Sequence, residues 1–459
     1  MKPLAKRLPD ALTTMARGAY LVGGAVRDLL IGRQPDDLDI AVPGHPKAYA
    51  AELAERLGVR SVTIGKGGFE IERVVAEGVH YDICGLDGTD IHADLLRRDF
   101  TINAMAWDID RRRLLDPTGG MADLAARRIR MVSRQNLEAD PIRLLRAFRL
   151  AAAFRCAIDE QTFETIRQFA PALSTAAGER IRTELLKLMA VRESAALLSI
   201  MNAAGILAAV FPETVTARDL RKGRPASGTP FEDELAAYLH LETILRTPDA
   251  YFPGRGRLID RSIGRAEEPV LKLAMLLSVP AGVGAGSGTD SPADDIRSME
   301  NIGRRLRLSG KERRCLTAIA AHCRRPILLF HSSSSATLSD QAIFNFYRSA
   351  GRFVPHTLLH AAAVTSGSGR EGFPANLFHG FLCELLGTFE DRYLRQQSRP
   401  PLLTGTDLME RFGLKPSPAI GRLLLRIEEN RYAGGIRTRE AAFDLARQLL
   451  AEMDRENRL

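Results

Sequence analysis

Cysteine is scarce and never paired in this chain: Cys84, Cys156, Cys315, Cys323 and Cys383 are scattered, odd in number, and none belongs to a Cys-x-x-Cys pair. That pattern excludes a disulfide framework and a cysteine-based zinc site, and leaves reduced, mostly buried thiols as the expectation. Apolar runs are short as well. None approaches the ~20 residues that cross a bilayer, and the opening MKPLAKRLPDALTTMARGAYLV has no long apolar stretch before a small-residue cleavage site. A non-exported, cytoplasmic protein without a membrane span is expected. No fixed-period repeat occurs, and the hydrophobic share of 45% with 26% charged residues excludes collagen-like and wholly disordered classes. What the chain does have is length and positive charge. Its 459 residues exceed a single core of ~100–200, so two to four domains are expected. Lys and Arg number 64 against 56 Asp and Glu, a formal charge of +8, which favours an acidic partner.

The first part mixes short β-type and helical runs. AYLV (19–22), DLDIAV (37–42), RSVTI (60–64), FEIERVV (69–75) and VHYDICG (79–85) are strand-like, separated by Gly or Pro clusters, and AYAAELAERLG (48–58) is a helix with a Gly stop. After Asp116-Pro117-Thr118-Gly119-Gly120 the periodicity becomes helical, from LEADPIRLLRAFRLAAAF through ERIRTELLKLMA to LKLAMLLSV. The fold class is therefore α+β, a mixed head followed by a helical remainder. Residues 247–270, 279–294 and the run Ser332–Ser335 read as surface loops or mobile segments, and 401–459 reads as a turn followed by two helices.

The segment from Leu21 to Val42 carries the chemistry. A strand enters the Gly23-Gly24 turn, a helix follows, and the next strand bears Asp37 and Asp39. Side chains alternate along a strand, so carboxylates at i and i+2 project from one face. Two such charges repel unless a cation neutralises them, and hard oxygen ligands suit Mg²⁺. Gly at the start of the helix lets a phosphate approach the backbone without a Cβ in the way. Phosphoryl transfer with two metals calls for a further acid nearby, and Asp82 fits: it alternates with Tyr81 and Ile83, on the opposite face from both. Asp87 and Asp90 lie in a Gly-containing turn and fit less well.

Four segments in order, GGAVRDLLIGRQPDDLDIAV, Arg97-Arg98-Asp99-Phe100-Thr101-Ile102-Asn103-Ala104, Asp116-Pro-Thr-Gly-Gly120 and Asp140-Pro141-Ile-Arg143-Leu-Leu-Arg146-Ala-Phe-Arg149, resemble the bacterial class II tRNA nucleotidyltransferase / poly(A) polymerase family, with Glu179-Arg180-Ile181-Arg182-Thr183-Glu184 extending the likeness. The resemblance implies a polymerase-β-type head at 1–120, a helical neck at 121–190, a helical body at 191–400 and a helical tail at 401–459. It also implies that Gly24 and Arg27 contact the nucleotide triphosphate, that Asp37 and Asp39 ligate Mg²⁺ with Asp82 as third catalytic acid, and that Arg97 binds phosphate. Asp140 and Arg143 would read the base, with Arg146 and Arg149 nearby. The chemistry agrees, since a carboxylate accepts from the amine of C or A while a guanidinium donates to the adjacent ring acceptor. On a helix Asp140 and Arg143 would sit one turn apart; steps of three drift around the helix, so Arg149 should face phosphate or a carboxylate instead of the base.

Three departures from the family pattern stand out. Ala139 replaces a Glu, removing one partner for Arg143; the strand of Asp82 continues as Cys84-Gly-Leu-Asp87 where Phe-Arg is common; and Leu271–Ser278 lacks the His-Asp pair of a phosphohydrolase metal site, leaving His240 a structural residue. The tail from Leu403 to Ala441 is similar to that of CCA-adding enzymes, and no long basic run follows Asp454. The resemblance thus implies addition of C, C and A to tRNA from CTP and ATP, without an obligate protein partner. Poly(A) synthesis, CC- or A-only addition, and a non-catalytic RNA-binding role stay open at this level. Three acids held together despite repulsion count against the last.

Overall fold

The computed structural model describes residues 8–15, 18–35, 37–65, 70–88, 90–213, 230–277, 292–335, 339–367 and 374–456. Contacts divide the chain into two compact units, Met1–Pro212 and Glu213–Leu459. The first contains a seven-stranded sheet in the order β3-β4-β5-β2-β1-β6-β7. Its strands are β1 (Tyr20–Val22), β2 (Asp37–Val42), β3 (Ser61–Ile64), β4 (Ile71–Ala76), β5 (Val79–Gly85), β6 (Ala106–Asp108) and β7 (Arg113–Leu115). β2 and β5 run parallel, and β1 pairs antiparallel with both β2 and β6. Alternation divides the faces of this sheet. Leu38, Ile40, Tyr81 and Ile83 point into a core with Leu21, Trp107 and the helix Pro46–Leu57. Asp37, Asp39 and Asp82 therefore stand on the other side of the sheet, where Ala41 and Val22 pack against Ile91 and Leu95.

Four helices of this unit build the site: α1 (Gly24–Leu30), α2 (Ile91–Leu96), α3 (Arg134–Ala139) and α4 (Ile142–Phe154), with α5 (Gly178–Met189) packed against α4. The segment read as one helix through Asp140 is broken there. Asp140 is extended (φ −140°, ψ 92°), as residues before proline prefer, and Pro141 opens α4 with a helical φ of −56°. Asp140 thus precedes the helix that carries Arg143. Helices Ala195–Ala203 and Ile206–Val210 also pack in this unit, so contacts join residues 191–212 to the first unit.

The second unit is helical among its described residues. Residues 247–270, expected as loop, instead hold the helices Pro248–Tyr251 and Gly256–Ser262 and the start of Glu268–Leu277, with Phe252, Leu258 and Ile259 buried. Their Pro and Gly serve as helix starts and turns: Pro248 opens one helix, and the Gly256 N–H donates to Asp249 (2.8 Å). Ser332–Ser335 ends the helix Arg325–Ser335, where the Ser332 hydroxyl returns to the Leu328 carbonyl (3.0 Å). Of the expected segment 279–294, residues 279–291 lie outside the described residues, and 292–294 begin the helix Pro292–Arg305. The last block has three helices, not two. Thr404 and Asp407 form a reciprocal cap at Gly405–Phe412, and Gly413 ends it in the left-handed region (φ 66°). All five cysteines are free, Cys156 and Cys315 buried and the other three half-buried.

His360 lies on the helix Val354–Gly367, 4% exposed, with both ring nitrogens buried and without hydrogen-bond partners among the described residues. Burial lowers its pKa from 6.5 to about 4. The unfolded chain takes up the proton first, so stability is full above pH 6.5 and falls as pH drops toward 4, by about 3 kcal/mol at most. Denaturant unfolding followed by circular dichroism should show this loss, and His360→Leu should flatten it; an unchanged pH profile in the variant would remove His360 as the cause.

Candidate active site

A cleft of about 440 Å³ opens in the first unit, lined by Gly23, Gly24, Arg27, Asp39, Arg98, Asp99, Asn103, Arg143, Arg146, Arg149, Glu184 and Lys187. Six cationic side chains face three anionic ones, an excess that suits a polyanionic nucleotide. The Gly-Gly turn forms one wall. Gly23 has φ 68°, a backbone conformation that favours glycine, and a Cβ there would press on the Arg98 guanidinium at 2.7 Å. Arg27, 7% exposed, donates to Asp28 (2.9 Å) and Asn103 (2.5 Å) and lies 4.1 Å over the Phe154 ring. Burial lowers its pKa despite the Asp28 charge.

At the sheet edge of the cleft, Asp39 is opposite Asp82 in the parallel register of β2 and β5, and Asp37 is opposite His80. The three predicted acids therefore share one face, but their surroundings differ. Asp37 meets His80 Nδ1 at 2.9 Å, and Asp82 is gripped by both arms of the Arg73 guanidinium at 2.7 Å. Asp39 has no such partner among the described residues. Burial raises its pKa, partly offset by Arg98 and reinforced by Asp82 and Asp37. Among the described residues no three acidic, His or Cys side chains form a ready metal cage, and Arg73 engages Asp82.

α4 and α5 supply further lining of the cleft. Asp99, 5% exposed, accepts from the Phe100 N–H (2.8 Å), Asn103 (3.0 Å) and Arg146 (2.9 Å). Burial pushes its pKa up, but Arg146 and the hydrogen bonds outweigh it and leave the carboxyl below its ordinary value. Arg146 also donates to Glu184 of α5 (3.1 Å), and Arg149 donates to the other Glu184 oxygen. The stripe on α4 thus drifts as helix geometry dictates, with Arg149 on a carboxylate. Arg143 lines the cleft with its Nη1 held by the carbonyls of Arg97 (2.9 Å) and Asn136 (3.2 Å), while its buried Nε has no hydrogen-bond acceptor among the described residues. The acid nearest to that donor is Asp140, at 3.7 Å.

Four predicted residues stand apart from the lining: Asp37 and Asp82, which meet His80 and Arg73, and Arg97 and Asp140. The Arg97 side chain is 61% exposed and pairs with Asp87 (2.9 Å), so only its carbonyl serves the site, and the neighbouring Arg98 takes the place in the cleft. Asp140 is not among the lining residues; its carboxylate lies 3.7 Å from Arg143 and receives both arms of Arg180 (3.0 and 2.8 Å). Arg98, Asp99, Asn103, Arg180, Glu184 and Lys187 received no role from sequence, although five of them fall inside the matched segments.

The family model described as poly A polymerase head domain matches residues 19–130, and that of the probable RNA and SrmB-binding site of polymerase A matches 156–217. A CC-adding tRNA nucleotidyltransferase of Geobacter sulfurreducens is 32% identical over 454 residues, covering 95% of this chain and 94% of the relative. The chain belongs to the tRNA nucleotidyltransferase family. A CCA-adding enzyme of Streptococcus pyogenes is 35% identical over 183 residues, 37% of this chain and 45% of the relative. The Thermotoga maritima CCA-adding enzyme complexed with tRNA shares the fold, with a TM-score of 0.68 at 22% identity and 98% of each chain covered. Family membership fits the head built around β2 and β5 and the helical remainder. No helix among the described residues is long and apolar enough to cross a membrane.

Proposed function

We propose that this chain transfers cytidylyl and adenylyl groups from CTP and ATP to the 3′ end of tRNA in the cytoplasm, completing the CCA sequence. The observation that carries this reading is the cleft whose lining Asp39 shares with the Gly23-Gly24 turn, Arg27, Arg98 and the Arg143 donor. In this reading residues 1–120 form the catalytic head and 121–190 the base-reading neck, while 191–400 and 401–459 hold RNA.

Hard carboxylate oxygens at Asp37 and Asp39, with Asp39 raised by burial and by its acidic neighbours, fit a hard divalent cation such as Mg²⁺. When bound, that ion would neutralise the acids, make a ribose 3′-hydroxyl a better nucleophile and stabilise departing pyrophosphate. The chain's own residues do the rest. Arg27 and Arg98 bind the triphosphate across glycines that leave room for it, and Gly24 lies under the same groups. The Arg143 Nε donates to the base, with Asp140 beside it as acceptor from the C or A amine. Arg146 and Arg149, fixed by Asp99 and Glu184, hold that wall in place. Asp82 shapes the charge around Asp39 while Arg73 holds it.

One observation favours a narrower reading: relatives matched along nearly their whole length include CC-adding enzymes and an A-adding enzyme (31% identical over 439 residues), whereas the CCA-adding relative of Streptococcus pyogenes matches over 183 residues. Defined tRNA transcripts ending before C, before A, or complete, given CTP alone, ATP alone or both, decide between them. Gain of C, C and A with both nucleotides is expected. Arrest after two C residues with ATP present would establish CC addition, transfer of a single A to transcripts ending in CC with no use of CTP would establish A addition, a long A tail would establish poly(A) synthesis, and no transfer would leave an RNA-binding role.

A further inference from the structure

Asp140 is the base-reading residue that its own segment does least to fix. It lies between α3 and α4 in an extended conformation, and its carboxylate accepts no backbone hydrogen bond from either helix among the described residues. Both of its hydrogen bonds come from Arg180, in the first turn of α5 and far along the chain: Nη1 to one oxygen at 3.0 Å, Nη2 to the other at 2.8 Å. A fork of this kind fixes the plane of the carboxylate as well as its place. Each carboxylate oxygen carries two lone pairs, so Arg180 occupies one on each and leaves one on each for an exocyclic amine. Arg143 stands 3.7 Å away with its buried Nε unsatisfied. Acceptor and donor are therefore side by side in the orientation that Arg180 imposes.

We propose that Arg180 is a positioning residue for base choice, holding the Asp140 carboxylate in the orientation that accepts from the amine of C or A and repels the carbonyl oxygen that U or G presents there. The inference rests on the reading of Asp140 and Arg143 as the base-reading pair. Without the fork, Asp140 is free to rotate about its side-chain bonds, and a carboxylate turned aside neither rewards an amine nor penalises a carbonyl. Arg180 is half exposed, and a pair of that kind contributes little to folding, so its removal should leave the protein folded.

The test measures kcat and KM for CTP, ATP, UTP and GTP on full-length protein carrying Arg180→Ala, Arg180→Lys or Asp140→Ala, with melting temperatures as the fold control. Arg180→Ala should lower discrimination of CTP over UTP by about tenfold or more, through a higher KM for CTP with kcat much less affected. Arg180→Lys, which restores one donor without the fork, should recover part of it. Discrimination lost in Asp140→Ala and retained in Arg180→Ala would overturn the positioning role while leaving the base-reading pair intact. Discrimination retained in both would overturn the base-reading assignment of Asp140 and this inference with it. A fall in kcat for all four nucleotides at constant ratios would mark Arg180 as structural only and overturn the proposal.

Discussion

Asp39→Ala is expected to reduce nucleotide transfer by at least ~10³-fold while tRNA affinity stays within about twofold, because several kcal/mol of transition-state stabilisation depend on the cation this carboxylate would hold. The distribution of partners singles this residue out. Asp37 meets His80 and Asp82 meets Arg73, while Asp39 is left at the cleft with no ion pair among the described residues. A half-buried carboxylate whose pKa is raised by burial costs the fold something and is retained for what it binds. The melting temperature of Asp39→Ala should accordingly be unchanged or higher, so stability and activity would move independently. Single-turnover extension of a transcript ending before CCA gives the first quantity and filter binding the second. Full transfer by the variant would sink the metal assignment.

Asp99→Ala should have the largest effect on folding, lowering the stability of the first unit by about 3 kcal/mol and its melting temperature by several degrees. The carboxylate is 5% exposed and joins three partners, the Phe100 N–H, Asn103 and Arg146. Removing it strands a half-buried guanidinium and two polar groups at once. The remaining Glu184 contact to Arg146 keeps the cost toward the lower end of the range for breaking a buried pair. Asn103 also loses a restraint, and Asn103 accepts from Arg27, so nucleotide affinity should fall with stability. Calorimetry of Asp99→Ala beside Asp99→Asn checks this, since Asn keeps an acceptor for Phe100 but loses the charge that Arg146 meets. Equal stability of wild type and Asp99→Ala would show that the network carries no net stabilisation.

Local pattern was enough for the head. Period-two alternation placed Asp37, Asp39 and Asp82 opposite the core residues Leu38, Ile40, Tyr81 and Ile83, because strand geometry alone fixes which side chains share a face. Where pattern misled, composition was read without its caps. Residues 247–270 and Ser332–Ser335 have loop-like composition, yet burial of Phe252 and Leu258 and back-bonding by Ser332 make helices of them. The tail helix Gly405–Phe412 is marked in the sequence by the capping pattern Thr404-Gly-Thr-Asp407.

The sequence by itself determined the order of the motifs, the shared face of the acids, the glycine turn beside them and the drift of the Arg stripe around its helix. Each follows from covalent geometry over a few residues. Only the tertiary structure decided that Arg98 and not Arg97 enters the cleft, that Arg73 claims Asp82, that Asp99 and Glu184 bind the stripe, and that Arg180 grips Asp140. Arginines and carboxylates are mutually interchangeable partners in a linear reading. Which of them meet across 40 or so residues is set by how α4 and α5 pack against each other and against the sheet, and that packing is a property of the whole core.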